Sequence, residues 1–152
     1  MAYVTAEARQ ELLDAVASAA EQLGIALAEL GEAYEHVDDF TGERLEGELF
    51  GPVQKAFGRA KRAHSAFAAA HDLSARAFPT PNPGHPSQGV KGFVESAVAA
   101  CGRADATLVT LQDSMMLVEV GDADLRAGIA EVRRGLHEVP GRARLFLRTV
   151  GR

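Results

Sequence analysis

Four stretches of the chain repeat apolar residues at alternating spacings of three and four. The first contains Leu13, Val16, Ala20, Leu23, Leu27, Leu30, Tyr34 and Val37. The others run from Phe50 to His71, from Val90 to Val118 and from Leu125 to Val150. This spacing is typical of amphipathic helices that pack in a bundle. Alanine-rich flanks widen the first two stripes, and the wide face of the first helix should contact two neighbours. The pattern predicts an all-α fold with four long helices and no strand.

Short polar connections separate the first two and the last two helices. One runs from Asp38 to Gly42, with Thr41 as a possible N-cap. The other contains Gly121 as a helix stop and Asp122 as a cap. Connections this short join antiparallel neighbours, so each pair should form a helical hairpin. In the fourth helix, Pro140 should produce a kink or break near Val139.

The connection from about Ser74 to Gly89 differs because it is long and rich in proline and glycine. Helix pairs usually need only 2 to 8 residues, whereas roughly 14 extended residues could span about 43 Å. The segment can therefore close a hairpin or cross over. Because consecutive helices tend to be neighbours, we predict an antiparallel up-down-up-down four-helix bundle in a single domain, 1–152. The loop itself is either a flexible linker or a docking segment for a partner.

Composition narrows the possible classes of protein. Apolar residues make up 47% of the chain, but no apolar stretch approaches the roughly 20 residues that a membrane span needs. No secretory signal is visible, so we expect a cytoplasmic protein that does not enter a membrane. The single cysteine, Cys101, should be a buried, reduced thiol. The net charge of −5 argues against nucleic acid as a partner.

The up-down-up-down order would separate charge between the two ends of the bundle. The acidic end would contain Glu29, Glu32, Glu35, Asp38, Asp39, Glu43, Glu46, Glu48, Asp113, Glu119, Asp122 and Asp124. The basic end would contain Lys61, Arg62, Arg76, Lys91, Arg142, Arg144, Arg148 and Arg152. Acids in the last turns of the first helix oppose its dipole, which suggests that they serve another purpose. The predicted partner contacts are Glu32, Glu35, Asp38, Asp39, Arg142, Arg144 and Arg148, which would bind a basic partner or another copy.

Two groups of side chains are candidates for a metal or cofactor. Glu35, Asp38 or Asp39 together with Glu119 could hold a divalent cation, although such ions want six or more oxygens. His64 and His71 could bind a cofactor, but one heptad separates them by about 10.5 Å, which is too far to share one metal. Core-edge histidines with hydrogen-bonded rings are the alternative. We expect no metal and no cofactor.

The segment from Arg59 to His64 resembles the Arg-x4-His motif of HEPN nucleases, which are themselves helical bundles. The resemblance implies a nuclease that uses Arg59 and His64. It is confined to this spacing, because Ala60 follows the arginine where the family usually has a polar residue, and the motif lies on the second helix. The chain has no Gly-x-Ser-x-Gly elbow and no glycine-rich phosphate loop, so catalysis is not expected.

Glycines one heptad apart occur in the first helix, at Gly24 and Gly31, and in the fourth, at Gly128 and Gly135. Each costs about 1 kcal/mol relative to alanine, so they indicate close helix contacts, either within the bundle or at a dimer interface. The sequence favours a non-catalytic interaction or assembly protein that self-associates, with a homodimer expected. The alternative is a bundle that binds a metal, cofactor or small ligand at His64 and His71.

Overall fold

The computed structural model describes residues 2–84 and 88–150, and every regular element in these residues is helical. The helices are α1 (Ala2–Tyr34), α2 (Asp39–Leu45), a π-helical turn (Glu46–Phe50), α3 (Gly51–Ala70), α4 (Gly89–Gln112), α5 (Met115–Val120), α6 (Ala123–Leu136) and α7 (Val139–Val150). The prediction of an all-α fold is confirmed. Residues 85–87 of the predicted loop and the predicted basic residue Arg152 lie outside the described residues.

Side-chain caps set several helix boundaries. Asp38, rather than Thr41, is the N-cap of α2, because its Oδ1 accepts a hydrogen bond from the Thr41 N–H at 2.8 Å. Asp122 caps α6 as predicted and accepts from the Leu125 N–H at 2.7 Å. Ser114 caps α5, which divides the predicted third helix after Gln112. A serine oxygen that satisfies the Met116 N–H makes this division stable.

Two prolines coincide with the remaining irregularities. Pro52 has no N–H to donate to the Glu48 carbonyl, and the wide π-helical turn lies immediately before it. Arg142 Nη1 donates to that carbonyl at 3.5 Å. Pro140 lies in the first turn of α7, where an N–H is not required, and α6 ends four residues earlier. The break predicted near Val139 is therefore present.

The up-down-up-down order is wrong, because α4 rather than α6 or α7 is the main neighbour of α1 besides α3. Arg9 Nε donates to the Val120 carbonyl at 3.0 Å, and Arg103 Nε donates to Gln22 Oε1 at 2.9 Å, so α1 and α4 run antiparallel. Helices α1 and α3 also run antiparallel, since Gly24 lies against Phe57 and the turn after Tyr34 joins them through α2. Helices α3 and α4 therefore run in the same direction.

Helix α3 packs against α6, which the predicted order would have placed diagonally across the bundle. A Cβ at Gly128 would lie 3.1 Å from the Cβ of Ala63, and one at Gly135 would lie 3.8 Å from the Cβ of Ala56. The prediction that these glycines mark close helix contacts is confirmed within the chain. Gly31 is different, because a Cβ there would meet no atom within 4 Å.

The proline-rich connection makes the crossover. We call residues 73–84 the proline strap. Asp72 has a positive φ of 55° and the Leu73 N–H donates back to the Ala68 carbonyl at 2.8 Å, which ends α3 and turns the chain around. The strap then follows α1: Arg76 pairs with Glu21 at 3.1 Å, and Pro81 lies beside Gly24. It thereby returns the chain to the end of the molecule where α3 began.

The buried apolar side chains of all these helices form one continuous core. Its largest members include Phe67 of α3, Phe93 of α4 and Phe146 of α7. Cys101 is buried in this core as predicted, and burial raises the pKa of its thiol to about 12. Among the described helices, none has the length and apolar character needed to cross a membrane.

Candidate interaction surface

The observed helix directions place the predicted acidic and basic contact residues together. We call the end where α1 finishes the Tyr34 end. It also contains the start of α2 and the last turns of α7, since Arg44 Nη1 donates to Thr149 Oγ1 at 2.6 Å. It contains the start of α4 as well, since the His36 and Phe93 rings stack 6.1 Å apart. The predicted contact residues lie in the helices that meet here or in the turn between α1 and α2: Glu32, Glu35, Asp38, Asp39, Arg142, Arg144 and Arg148. The two oppositely charged poles are therefore absent, and the contact residues share one end.

A groove opens at the Tyr34 end between α1 and the π-helical turn. Its volume is about 340 Å³, and its lining is mostly apolar. The lining residues are Leu30, Gly31, Tyr34, Glu35, Leu45, Glu46 and Phe50. Because Gly31 has no side chain and a Cβ there would meet open space, no side chain fills the groove at this position.

The first turns of α2 hold the groove open in a fixed shape. The Tyr34 ring lies over the backbone of Gly42, so closely that a Cβ at Gly42 would come within 2.9 Å of the ring. Only glycine therefore permits this contact. The Asp38 cap fixes the start of the same helix, and the hydrogen bonds from Thr41 lower the pKa of the Asp38 carboxyl. Leu45 at the end of α2 and Glu46 at the start of the π-helical turn line the groove opposite α1.

Carboxylates on the groove carry charge that the chain does not neutralise. Glu35 and Glu46 are exposed and have no ion-pair partner in the described part of the chain. Glu32, which follows the lining residue Gly31, lies 3.3 Å from the His36 ring. Asp39 begins α2, where an acid complements the positive end of the helix dipole. The groove is thus an apolar surface bordered by negative charge.

Helix α7 presents an apolar residue beside positive charge at the same end. Leu145 is 58% exposed, so its apolar side chain is available for contact. Arg144 and Arg148 flank it on the solvent side and have no ion-pair partner among residues 2–84 and 88–150. Arg142 differs, because it pairs with Glu138 at 2.8 Å. Leu145, Arg144 and Arg148 form what we call the α7 face.

The predicted cation ligands are not brought together. Glu35, Asp38 and Asp39 lie at the Tyr34 end, whereas Glu119 lies beside Val120, which contacts Arg9 near the start of α1. Most of the length of α1 separates them. Within the described residues, no group of three or more His, Cys, Asp and Glu side chains could hold a metal ion.

His64 and His71 occupy different environments. His64 is buried, and its ring meets the edge of Phe78 in the proline strap at 5.1 Å. His71 Nε2 lies 2.9 Å from Asp122 Oδ2. Although burial by itself raises the pKa of Asp122, the Leu125 N–H and the His71 ring together hold it below its ordinary value. A ligand site at these histidines stays a prediction. So does a nuclease role for Arg59 and His64, of which Arg59 lies at the surface and His64 beneath the strap.

The strap is also anchored by a buried acid. Glu29 is 6% exposed, and one of its oxygens accepts a hydrogen bond from the Gly84 N–H. Its other oxygen has no partner in the described residues. Burial raises the pKa of Glu29 despite the Gly84 hydrogen bond, and the negative charge of Glu32 raises it further. Two buried titratable groups therefore contact the strap, His64 at Phe78 near its middle and Glu29 at Gly84 at its end.

We expect acid to weaken the protein through His64. Burial lowers the pKa of His64 below its ordinary value of 6.5, and the nearby Arg76 lowers it further against the opposing effect of Asp14. The folded state therefore resists a proton that the unfolded state accepts, so stability should fall as the pH drops below about 6.5 and level off below the folded-state pKa. Glu29 has a raised pKa and acts oppositely, because the folded state takes up its proton first, so its contribution rises as the pH falls through the raised pKa toward the ordinary value of 4.5.

Replacing His64 with leucine isolates this effect. The variant removes a buried Nδ1 that lacks a hydrogen-bond partner in the described residues, which should stabilise the fold by about 1 kcal/mol at pH 7. The gain should be larger at pH 5.5. Urea denaturation at both values measures it, with His137→Gln on an exposed histidine as the control. A gain that is the same at both pH values would contradict the assignment to protonation.

The sequence pattern predicts the charges of this surface but not its apolar residues. It assigns Leu30 and Tyr34 to the core stripe of the first helix, and Leu45 and Glu46 belong to no apolar stripe. Leu145 lies off the stripe that contains Phe146, so its position between two arginines was the available signal.

Comparison with known proteins gave no match: no protein-family model, no curated protein and no solved structure resembles the chain significantly.

Proposed function

We propose that the protein is a non-catalytic assembly protein that forms a homodimer through its Tyr34 end. The observation that supports the proposal is that a complementary pair of surfaces lies on one end of one chain. The groove is apolar with an acidic border, and the α7 face is an exposed leucine between two arginines. In the dimer, Leu145 of each copy enters the groove of the other.

Charge and symmetry both favour a second copy as the occupant. Arg144 and Arg148 would approach Glu35 and Glu46, none of which has an ion-pair partner among the described residues. Complementary charge steers association and excludes wrong partners. Because groove and face lie at the same end, a twofold axis can make both contacts at once, which closes the assembly as a dimer.

Filling the groove tests the proposal. We expect wild-type protein to scatter light as twice 16.1 kDa. Gly31→Leu should fold normally, since open space surrounds Gly31, but should weaken dimerisation at least about tenfold because its side chain occupies the groove. Gly102→Leu is the matched control, because Gly102 is a helical glycine in open space away from the groove. A wild-type mass of 16.1 kDa at every concentration would overturn the proposal.

A mixing experiment identifies the two surfaces as partners. Glu35→Lys with Glu46→Lys impairs the groove, and Leu145→Asp impairs the α7 face. Each variant alone should be monomeric. A mixture should form a heterodimer, because one intact groove can still receive one intact face. If the mixture shows no more association than either variant alone, the groove and the α7 face do not bind each other.

A further inference from the structure

A second concave site lies between α3 and the junction of α6 with α7, and its charge opposes that of the chain. The chain has 21 acidic and 16 basic residues, yet four of the eight residues that line this pocket are basic and one is acidic. The basic residues are Lys55, Arg59, Arg134 and Arg142, and the acidic residue is Glu138. From these observations we propose that the pocket binds the phosphate chain of a small phosphorylated molecule.

The cations of this pocket come from three helices rather than one exposed run. Lys55 and Arg59 stand one turn apart on α3, Arg134 lies at the end of α6, and Arg142 lies in α7. The break before Pro140 redirects the chain so that α7 brings Arg142 to the same pocket as Lys55 and Arg59, and Arg142 also donates to the Glu48 carbonyl of the π-helical turn. The packing of α3 against α6 supplies the other wall, with Gly135 beside Ala56. The fold therefore positions the charges.

Much of this positive charge is uncompensated. Lys55 and Arg134 have no ion-pair partner in the described part of the chain, and Arg59 lies 3.9 Å from Glu131, at the limit of an ion pair. Only Arg142 has a close acidic partner, Glu138 at 2.8 Å. Like charges held together repel, and an anion relieves that repulsion. Guanidinium groups bind phosphate oxygens through two parallel hydrogen bonds, which makes three arginines a suitable lining.

Size favours a short chain of phosphates. The pocket has a volume of about 260 Å³ and is lined by Pro52 and Val139 as well as by the cations. These two apolar residues leave space beside the charges for an organic group. A diphosphate, either inorganic or part of a nucleotide, meets both the charge and the space. A long polyanion such as RNA would need a basic stripe that extends beyond the pocket.

Calorimetric titration with inorganic pyrophosphate in 0.15 M salt tests the proposal. We expect saturable binding of one ion per chain, weaker binding of orthophosphate, and a Kd at least tenfold higher in Lys55→Gln with Arg134→Gln. Both side chains are exposed, so this variant should fold normally. The matched control is Lys91→Gln with Arg103→Gln, which removes the same charge from the exposed surface of α4 and should leave the Kd within twofold.

A comparison of ADP with pyrophosphate as the ligand separates three outcomes. Tighter binding of ADP than of pyrophosphate, with the same loss in the pocket variant, identifies a nucleotide as the source of the phosphates. Tighter binding of pyrophosphate identifies an inorganic or compact phosphorylated ligand. Absence of saturable binding by either, an equal loss in the control variant, or binding of RNA alone would overturn the proposal.

Discussion

Replacing Phe146 with alanine is expected to lower the free energy of unfolding by about 3 to 5 kcal/mol. The ring is fully buried, and α7 packs against α4 and the π-helical turn through it. The Arg44 guanidinium also lies 5.6 Å from the centre of the ring. Truncation therefore leaves a cavity at the point where α7 joins the core. Guanidinium denaturation followed by circular dichroism at 222 nm measures the loss.

The adjacent residue provides the control for Phe146. Leu145 is 58% exposed, so Leu145→Ala should change the free energy of unfolding by less than about 0.5 kcal/mol. Both variants should be compared at a protein concentration low enough for the chain to be monomeric, because Leu145 belongs to the proposed dimer contact. Similar losses for the two variants would contradict the burial of α7 on this face.

The positions of the helices were predictable because burial repeats with the helical period. Leu13, Val16 and Leu23 are buried on α1, and Leu125, Ile129 and Val132 are buried on α6, in the spacing that the sequence shows. Local chemistry also identified Asp122 as a cap. The division at Ser114 was missed because the apolar spacing continues through it from Leu111 to Met115 and Val118. Met115 and Val118 are in fact 66% and 62% exposed, and Leu117 is the buried residue of α5, so the continued spacing predicts the wrong buried face after the break at Ser114.

The helix order was not predictable, because the proline-rich connection has the length for either path. Its crossover is decided by contacts distant in sequence, such as Arg76 with Glu21 and Phe78 with His64. Nothing in the composition of the segment distinguishes residues that pack against helices from residues that stay in solvent. The predicted separation of charge failed for the same reason, since it followed entirely from the assumed order.

The candidate groove was also not predictable from the sequence, but for a different physical reason. Its lining comes from α1, α2 and the π-helical turn, and the turn arises from a local irregularity before Pro52. Regular periodicity assigns Leu30 to the core and gives no indication that Gly31 beside it faces open space. Gly31 and Gly128 are alike in sequence context, yet only Gly128 contacts another helix. A heptad pattern of glycines predicts close approach without saying which of its members makes the contact.

Replacing Gly128 with leucine tests the helix order directly and is expected to destabilise the protein by about 1 to 3 kcal/mol. A Cβ at this position already lies 3.1 Å from the Cβ of Ala63, so a larger side chain must force α3 and α6 apart. Adding Ala63→Gly removes the obstructing methyl group and should recover part of the loss, which a double-mutant cycle in urea measures as a coupling energy. Gly102→Leu, in open space, should stabilise the helix by up to about 1 kcal/mol.

In the up-down-up-down order Gly128 and Ala63 would lie on diagonally opposed helices, and their substitutions would simply add. A coupling energy near zero would therefore contradict the crossover, because only the crossover makes α3 and α6 neighbours.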